Sequence, residues 1–151
     1  MKKELKVVIP EGYEIDKKNS SFEEIIFKKI SKDITERIKT VEDACKELGE
    51  CDKEVKTLRA LESVCGLPDR VIDNQKLIVV IKALNEGWYP DFSNNENKYY
   101  PWFDMRGSQV LFNVCDWNSD ATVPAPSLFK SEKLVRYATS QFLELYRSVF
   151  A

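Results

Sequence analysis

Residues 88–103 read WYPDFSNNENKYYPWF. These sixteen positions hold seven rings (Trp88, Tyr89, Phe92, Tyr99, Tyr100, Trp102 and Phe103), two prolines and a polar insert. A packed aromatic side chain buries about 150–250 Å², so the stretch carries enough apolar mass to cement its neighbours together. Its first reading is a seam between a preceding helix and the strands that follow, with one or two tyrosines left exposed. The second is an open platform for bases or sugars, because each stacked base contributes about 1–3 kcal/mol.

The helix leading into it spans about Pro68 or Asp69 to Glu86. Pro68 suits a first turn, and Gly87 ends the helix. Val71, Ile72, Leu77, Ile78, Val80, Ile81 and Leu84 make it apolar around much of its circumference, the mark of a largely buried helix. LIVVI alone would also fit a buried strand, but KALNEG behind it extends the pattern to helical length.

Further upstream, Val55, Leu58, Leu61 and Val64 give a helix over 53–64, stopped at Gly66-Leu67-Pro68. A shorter helix covers 41–48. Thr40 is its N-cap with Asp43 at the third position, as in a capping box, and Gly49 suits the C-terminal turn. Residues 31–39 connect these helices to a hairpin. ELKVVI (4–9) alternates as a strand ended by Pro10-Glu11-Gly12, Tyr13 and Ile15 continue it weakly, and FEEIIFKKI (22–30) is its antiparallel mate.

Beyond the aromatic stretch, SQVLFNVC (108–115) reads as a strand and 116–127 as a loop. Ser131 caps a last helix, whose apolar face is Leu134, Val135, Ala138, Phe142, Leu145, Tyr146 and Val149. The fold class expected is α+β: a small, mainly antiparallel sheet with about four helices packed on one face. The 151 residues are the ordinary size of one domain, with residues 1–30 as a hairpin that is semi-independent.

Composition narrows the chemistry. The net charge of -2 supplies no general attraction to nucleic acid or anionic lipid. The chain has no histidine, which excludes Ser-His-Asp and Cys-His machinery and H-E-x-x-H metal sites. An enzyme would have to work with carboxylates, Lys, Tyr or Cys, and none stands in a diagnostic spacing. Cys45, Cys51, Cys65 and Cys115 form no C-x-x-C pair, so neither a zinc site nor any other metal or cofactor is expected. They read as reduced, small apolar side chains in or near the core. No apolar run reaches the roughly 18 residues of a membrane span. Val7-Val8-Ile9 meets Pro10 and Glu11 too soon for a signal peptide. A cytoplasmic location is the expectation.

Three candidate sites remain. Tyr89, Tyr99, Tyr100 and Trp102, beside a modest basic stripe of Lys130, Lys133 and Arg136, are the candidate partner-binding residues. Asp91-Phe92-Ser93-Asn94-Asn95-Glu96 begins like a calcium loop, but Glu96 stands where glycine is needed and Trp102 where the bidentate Glu belongs, which leaves a solvated turn. Asp104, Arg106, Asp116 and Asp120 flank the later strand, and the sequence does not fix their separation.

Several stretches also carry a resemblance: IPEGYEID with FEEIIFKK behind it, DITERIKTVEDACKELG, KALNEGWYPDF, YYPWF, and SLFKSEKLVRYATSQFLELY. Together they resemble a group of small proteins of gut anaerobes, their phages and mobile elements, for which no activity is assigned. The resemblance covers nearly the whole chain and implies a phage or mobile-element origin with the aromatic stretch at the centre. It departs at MRGSQVLFNVCDWNSD, where that group has a longer aromatic and Gly-rich strand pair. The expected function is a non-enzymatic binding or assembly module that meets a protein partner or a second copy. A single-stranded nucleic-acid accessory protein is the alternative, and a histidine-free enzyme the third.

Overall fold

The computed structural model describes residues 7–16, 19–21, 23–29, 32–104, 111–117 and 124–150, with the backbone alone at 29, 104 and 111–117. Contacts divide the chain into two compact units, Met1–Asp33 and Ile34–Ala151.

In the first unit β1 (Tyr13–Ile15) pairs antiparallel with β2 (Phe27–Lys29). Glu14 lies opposite Lys28, and the two form an ion pair at 3.2 Å, the kind of cross-strand pair that favours a register. The Ser20 hydroxyl accepts from the Ile26 N–H at 2.9 Å and closes the loop. The hairpin forms, but its first strand is not 4–9. Val7–Ile9 belongs to no strand, with Val8 and Ile9 exposed, and residues 4–6 lie outside the described ones. The Tyr13 N–H donates to the Pro10 carbonyl at 3.1 Å, so the proline–glycine turn delivers the chain into the ladder instead of ending it.

The second unit begins with α1 (Ile34–Arg37) and α2 (Val41–Leu48). The capping box at α2 is complete. The Thr40 hydroxyl accepts from Asp43 N–H at 3.1 Å, and the Asp43 carboxylate accepts from Thr40 N–H at 2.9 Å. At α3 (Lys53–Glu62), Asp52 does the same work by accepting from the Glu54 N–H at 2.9 Å. α4 (Asp69–Leu84) follows, with Pro68 at its N-cap.

Leu77, Val79, Val80, Ile81, Ala83 and Leu84 are all buried, so α4 is covered on several sides, as an all-round apolar helix must be. α2, α3 and α6 pack on it, and their apolar residues form one core with it. Cys45 belongs to this core, and burial pushes its thiol above the usual range. Cys51 and Cys65 do not. Both are exposed free thiols, because they fall in the segments between helices. The Cys115 side chain lies outside the described ones.

The last third holds β3 (Lys98–Asp104) and β4 (Leu111–Trp117), antiparallel, with Tyr100 opposite Cys115 and Phe103 opposite Phe112. Part of the aromatic stretch is therefore itself a strand, and β4 runs two residues into the expected loop. On the far edge of β3, Tyr99 and Phe129 exchange two backbone hydrogen bonds of 3.1 and 2.8 Å. A 3₁₀ turn (Ala125–Ser127) leads to α5 (Glu132–Gln141) and α6 (Leu143–Phe150).

The single last helix expected from periodicity is thus two. Phe142, at φ -115° and ψ 30°, breaks it. The break lets α5 lie against β3 and β4 while α6 reaches α4. Ser131 holds the N-cap position of α5 without a side-chain hydrogen bond. The fold is α+β, as expected. However, each unit carries its own two-stranded ladder, and the core of the second is built around a helix, not on a sheet face.

Candidate functional site

The C-terminal end of α4 builds a groove. Asn85 caps the helix, Glu86 takes a left-handed φ of 50°, and Gly87 follows at 81°. Two successive left-handed residues reverse the chain, and the Trp88 N–H donates back to the Asn85 carbonyl at 3.0 Å. Only glycine adopts such a conformation freely, which gives Gly87 its role. Trp88 and Tyr89, delivered by the reversal, line a cavity of about 210 Å³ together with Pro126 and with Ile78 and Ile81 of α4. Tyr89 is 69% exposed.

Polar pairs fix the surroundings. The Asn85 side chain is buried. Its amide donates to the Leu128 carbonyl at 2.8 Å and its oxygen accepts from the Lys130 N–H at 3.1 Å. That clamp holds the chain around the 3₁₀ turn against the end of α4. The Glu86 carboxylate meets Arg37 and Lys130, each at 2.8 Å. At the rim Lys82 pairs with Asp52 at 2.7 Å. Gln75 donates to the Glu54 carboxylate at 3.0 Å and to its carbonyl at 3.1 Å.

The candidate residues from sequence separate here. Tyr89 stands on the groove. Tyr100 is only 9% exposed and Tyr99 packs on the core, so neither offers an open ring face. Trp102 is 48% exposed but does not line the groove. The basic stripe is largely neutralised: Lys130 is paired with Glu86, and Arg136 with Glu132 at 2.6 Å. Lys133 is exposed. Sequence reasoning missed Ile78, Ile81 and Pro126. The available signal was the run of apolar residues around most of α4.

The 91–96 loop closes on itself. The Asp91 carboxylate accepts from the Ser93 hydroxyl and N–H at 2.6 and 2.8 Å, and these bonds hold it below the usual carboxylate range. Lys98 beneath the loop is 1% exposed, donates to the Glu96 carbonyl at 2.7 Å and lies over the Phe92 ring. No group of three metal-binding side chains exists among the described residues. The side chains of Asp104 and Asp116, and all of Arg106 and Asp120, lie outside the described ones.

Other perturbed carboxylates serve structure. Burial raises Asp52 and Asp73, but hydrogen bonds outweigh it, from Lys82 and the α3 N-terminus for Asp52 and from Ser148 and Lys76 for Asp73, so both end below the usual range. Asp43 is lowered by its Thr40 bond in the capping box. Arg59 bridges α3 to Glu42 and Glu50, and these hydrogen bonds raise its pKa. No helix among the described residues is long and apolar enough to cross a membrane.

No family model, no curated protein and no solved structure matches the chain.

Proposed function

We propose that this chain is a non-enzymatic binding module of phage or mobile-element origin, and that it captures a short peptide segment of a protein partner in the groove at the end of α4. The resemblance in its ordered motifs supports the origin. The observation that carries the binding reading is a cavity lined by Trp88, exposed Tyr89, Ile78 and Ile81. Stiff aromatic anchors beside an apolar pocket are the composition of interaction hot spots. The rim offers both signs of charge, Glu54 and Lys82.

Size favours a peptide over a second copy. A cavity of about 210 Å³ houses one or two side chains, whereas a stable dimer needs about 800 Å² of matched surface on each partner. The exposed large apolar residues of this unit (Val64, Val71, Tyr89, Phe92, Trp102 and Phe150) are scattered over different elements.

The test is selection of peptides from a random library on the immobilised protein, followed by measured affinities. Tyr89→Ala and Ile78→Lys each weaken the selected peptides at least about tenfold, the loss of one hot-spot anchor. Unchanged affinity in both variants overturns the reading. So does Tyr89-dependent self-association, or binding of oligothymidylate that falls steeply with salt, the signature of phosphate contacts.

A further inference from the structure

The groove at the end of α4 carries a charge of its own. Two charged side chains line it, Glu54 of α3 and Lys82 of α4. Lys82 is already matched. Its ammonium donates to both oxygens of Asp52, at 3.0 and 2.7 Å, and that pair sums to zero. Glu54 has no such match. Buried Gln75 donates to its Oε2 at 3.0 Å and to its carbonyl at 3.1 Å. An amide is neutral, so these bonds pin the carboxylate without cancelling its charge. Among the described residues Glu54 joins no ion pair and its Oε1 takes no hydrogen bond. Glu54 stands in the first turn of α3. A helix N-terminus carries about half a positive charge, and Asp52, as the cap, shares it. The lining therefore stays net negative.

The rings point the same way. The face of an aromatic ring attracts a cation, and Trp does so most strongly. The cations that lie over rings among the described residues are Lys39 over Tyr137 and Lys98 over Phe92, so Trp88 and Tyr89 are not spent on the chain's own charges. Ile78, Ile81 and Pro126 add apolar surface to the same cavity. A long basic side chain has the matching build, an apolar stem with a charged head. Other anchors fit less well. An acidic one would meet Glu54 as a like charge. A purely apolar one would take water from the Glu54 carboxylate and return no hydrogen bond, which is costly for a charge.

Resting on the peptide-binding reading above, we propose that the segment held in this groove is anchored by a lysine or arginine, with its stem against Ile78, Ile81 and Pro126 and its head at the Glu54 carboxylate beside Trp88 and Tyr89.

Peptides selected on the immobilised wild type test it, once alanine replacement along the tightest binder has located the anchor. The anchor is a lysine or arginine, and norleucine in its place, which keeps the stem and removes the charge, weakens binding about fivefold. Glu54→Gln retains an acceptor for Gln75. In that variant the basic peptide also loses about fivefold, the difference between a hydrogen bond to a charged group and one to a neutral group, while the norleucine peptide binds as it does to the wild type. The proposal is overturned if the anchor is apolar or acidic, or if the advantage of the basic peptide over the norleucine peptide survives in Glu54→Gln. Tyr89→Ala and Ile78→Lys separate the two ways of failing. If they still weaken the selected peptides, the groove reading stands and the basic anchor alone falls; if they do not, both fall.

Discussion

The two ends of the aromatic stretch behave differently. At residues 88–92 the rings face outward or half-outward, while at 99–103 Tyr99, Tyr100 and Phe103 turn into the unit and only Trp102 stays well exposed. Both ends are rich in rings, three in 88–92 and four in 99–103. The difference is in the backbone. Residues 98–104 are gripped on both edges of the strand, by β4 along one and by Phe129 at Tyr99 on the other, so the pleat fixes where each side chain points. Residues 88–92 have no ladder and follow a left-handed reversal. Ring content measures apolar mass. The pairing of the backbone decides which of that mass becomes core.

Substitution breaks or sharpens this contrast. The largest effect belongs to the gripped end. Tyr100→Ala lowers stability by about 3–5 kcal/mol, the usual range for emptying a buried aromatic site, measured by urea unfolding. Next is Asn85→Ala, which leaves the Leu128 carbonyl and the Lys130 N–H without their partner. At about 1–3 kcal/mol for each unmade buried bond, the loss is about 2 kcal/mol or more, and hydrogen exchange at 128–130 quickens with it.

Smaller, and opposite in sign, is Tyr146→Phe. Removing its buried hydroxyl, which has no hydrogen-bond partner among the described residues, raises stability by up to about 1 kcal/mol, read as a higher unfolding midpoint. Because the Tyr146 pKa is raised in the fold, its contribution is fully present below the ordinary value of 10.0 and fades as pH rises past it. The variant therefore loses less stability than the wild type between neutral pH and pH values above 10.0.

Acid acts through Asp52 and Asp73. Their folded pKa values lie below the ordinary 3.8, so the stability they contribute is intact above that pH and drains away as pH falls below it. In Asp52→Asn the decline below pH 3.8, followed by circular dichroism, is shallower. The smallest effect is at the loose end: Tyr89→Ala shifts stability by no more than about 0.5 kcal/mol, like other surface changes. A loss there comparable to that of Tyr100→Ala would erase the distinction between the two ends.

Much of the second unit was legible because its signals are local. The capping box at Thr40 and Asp43, the glycine after α2 and the all-round apolar face of α4 each lie within a few turns of chain. What escaped depends on distant partners. The bend at Phe142 has no glycine or proline to announce it. It is set by α5 meeting the ladder and α6 meeting α4. Lys98 carries no local mark of burial, yet it is buried beneath the 91–97 loop and donates to the Glu96 carbonyl. Val7–Ile9 alternates convincingly, yet the turn at Pro10 starts the ladder. The groove was half legible: Tyr89 was named, but Ile78, Ile81 and Pro126 join it only through α4, the reversal after it and the clamp at Asn85.

Glu86 ties the two ends of this contrast to the solvent around them. A left-handed backbone costs a non-glycine residue about 1–2 kcal/mol, and partly exposed ion pairs such as those to Arg37 and Lys130 return about 0–1 kcal/mol each. Added electrolyte, by weakening both pairs, loosens two of the ties on the corner that carries Trp88 and Tyr89, while the buried Asn85 clamp stays in place. Ionic strength becomes a dial on how firmly the two rings are presented, while the strand-bound rings a few residues later are indifferent to it.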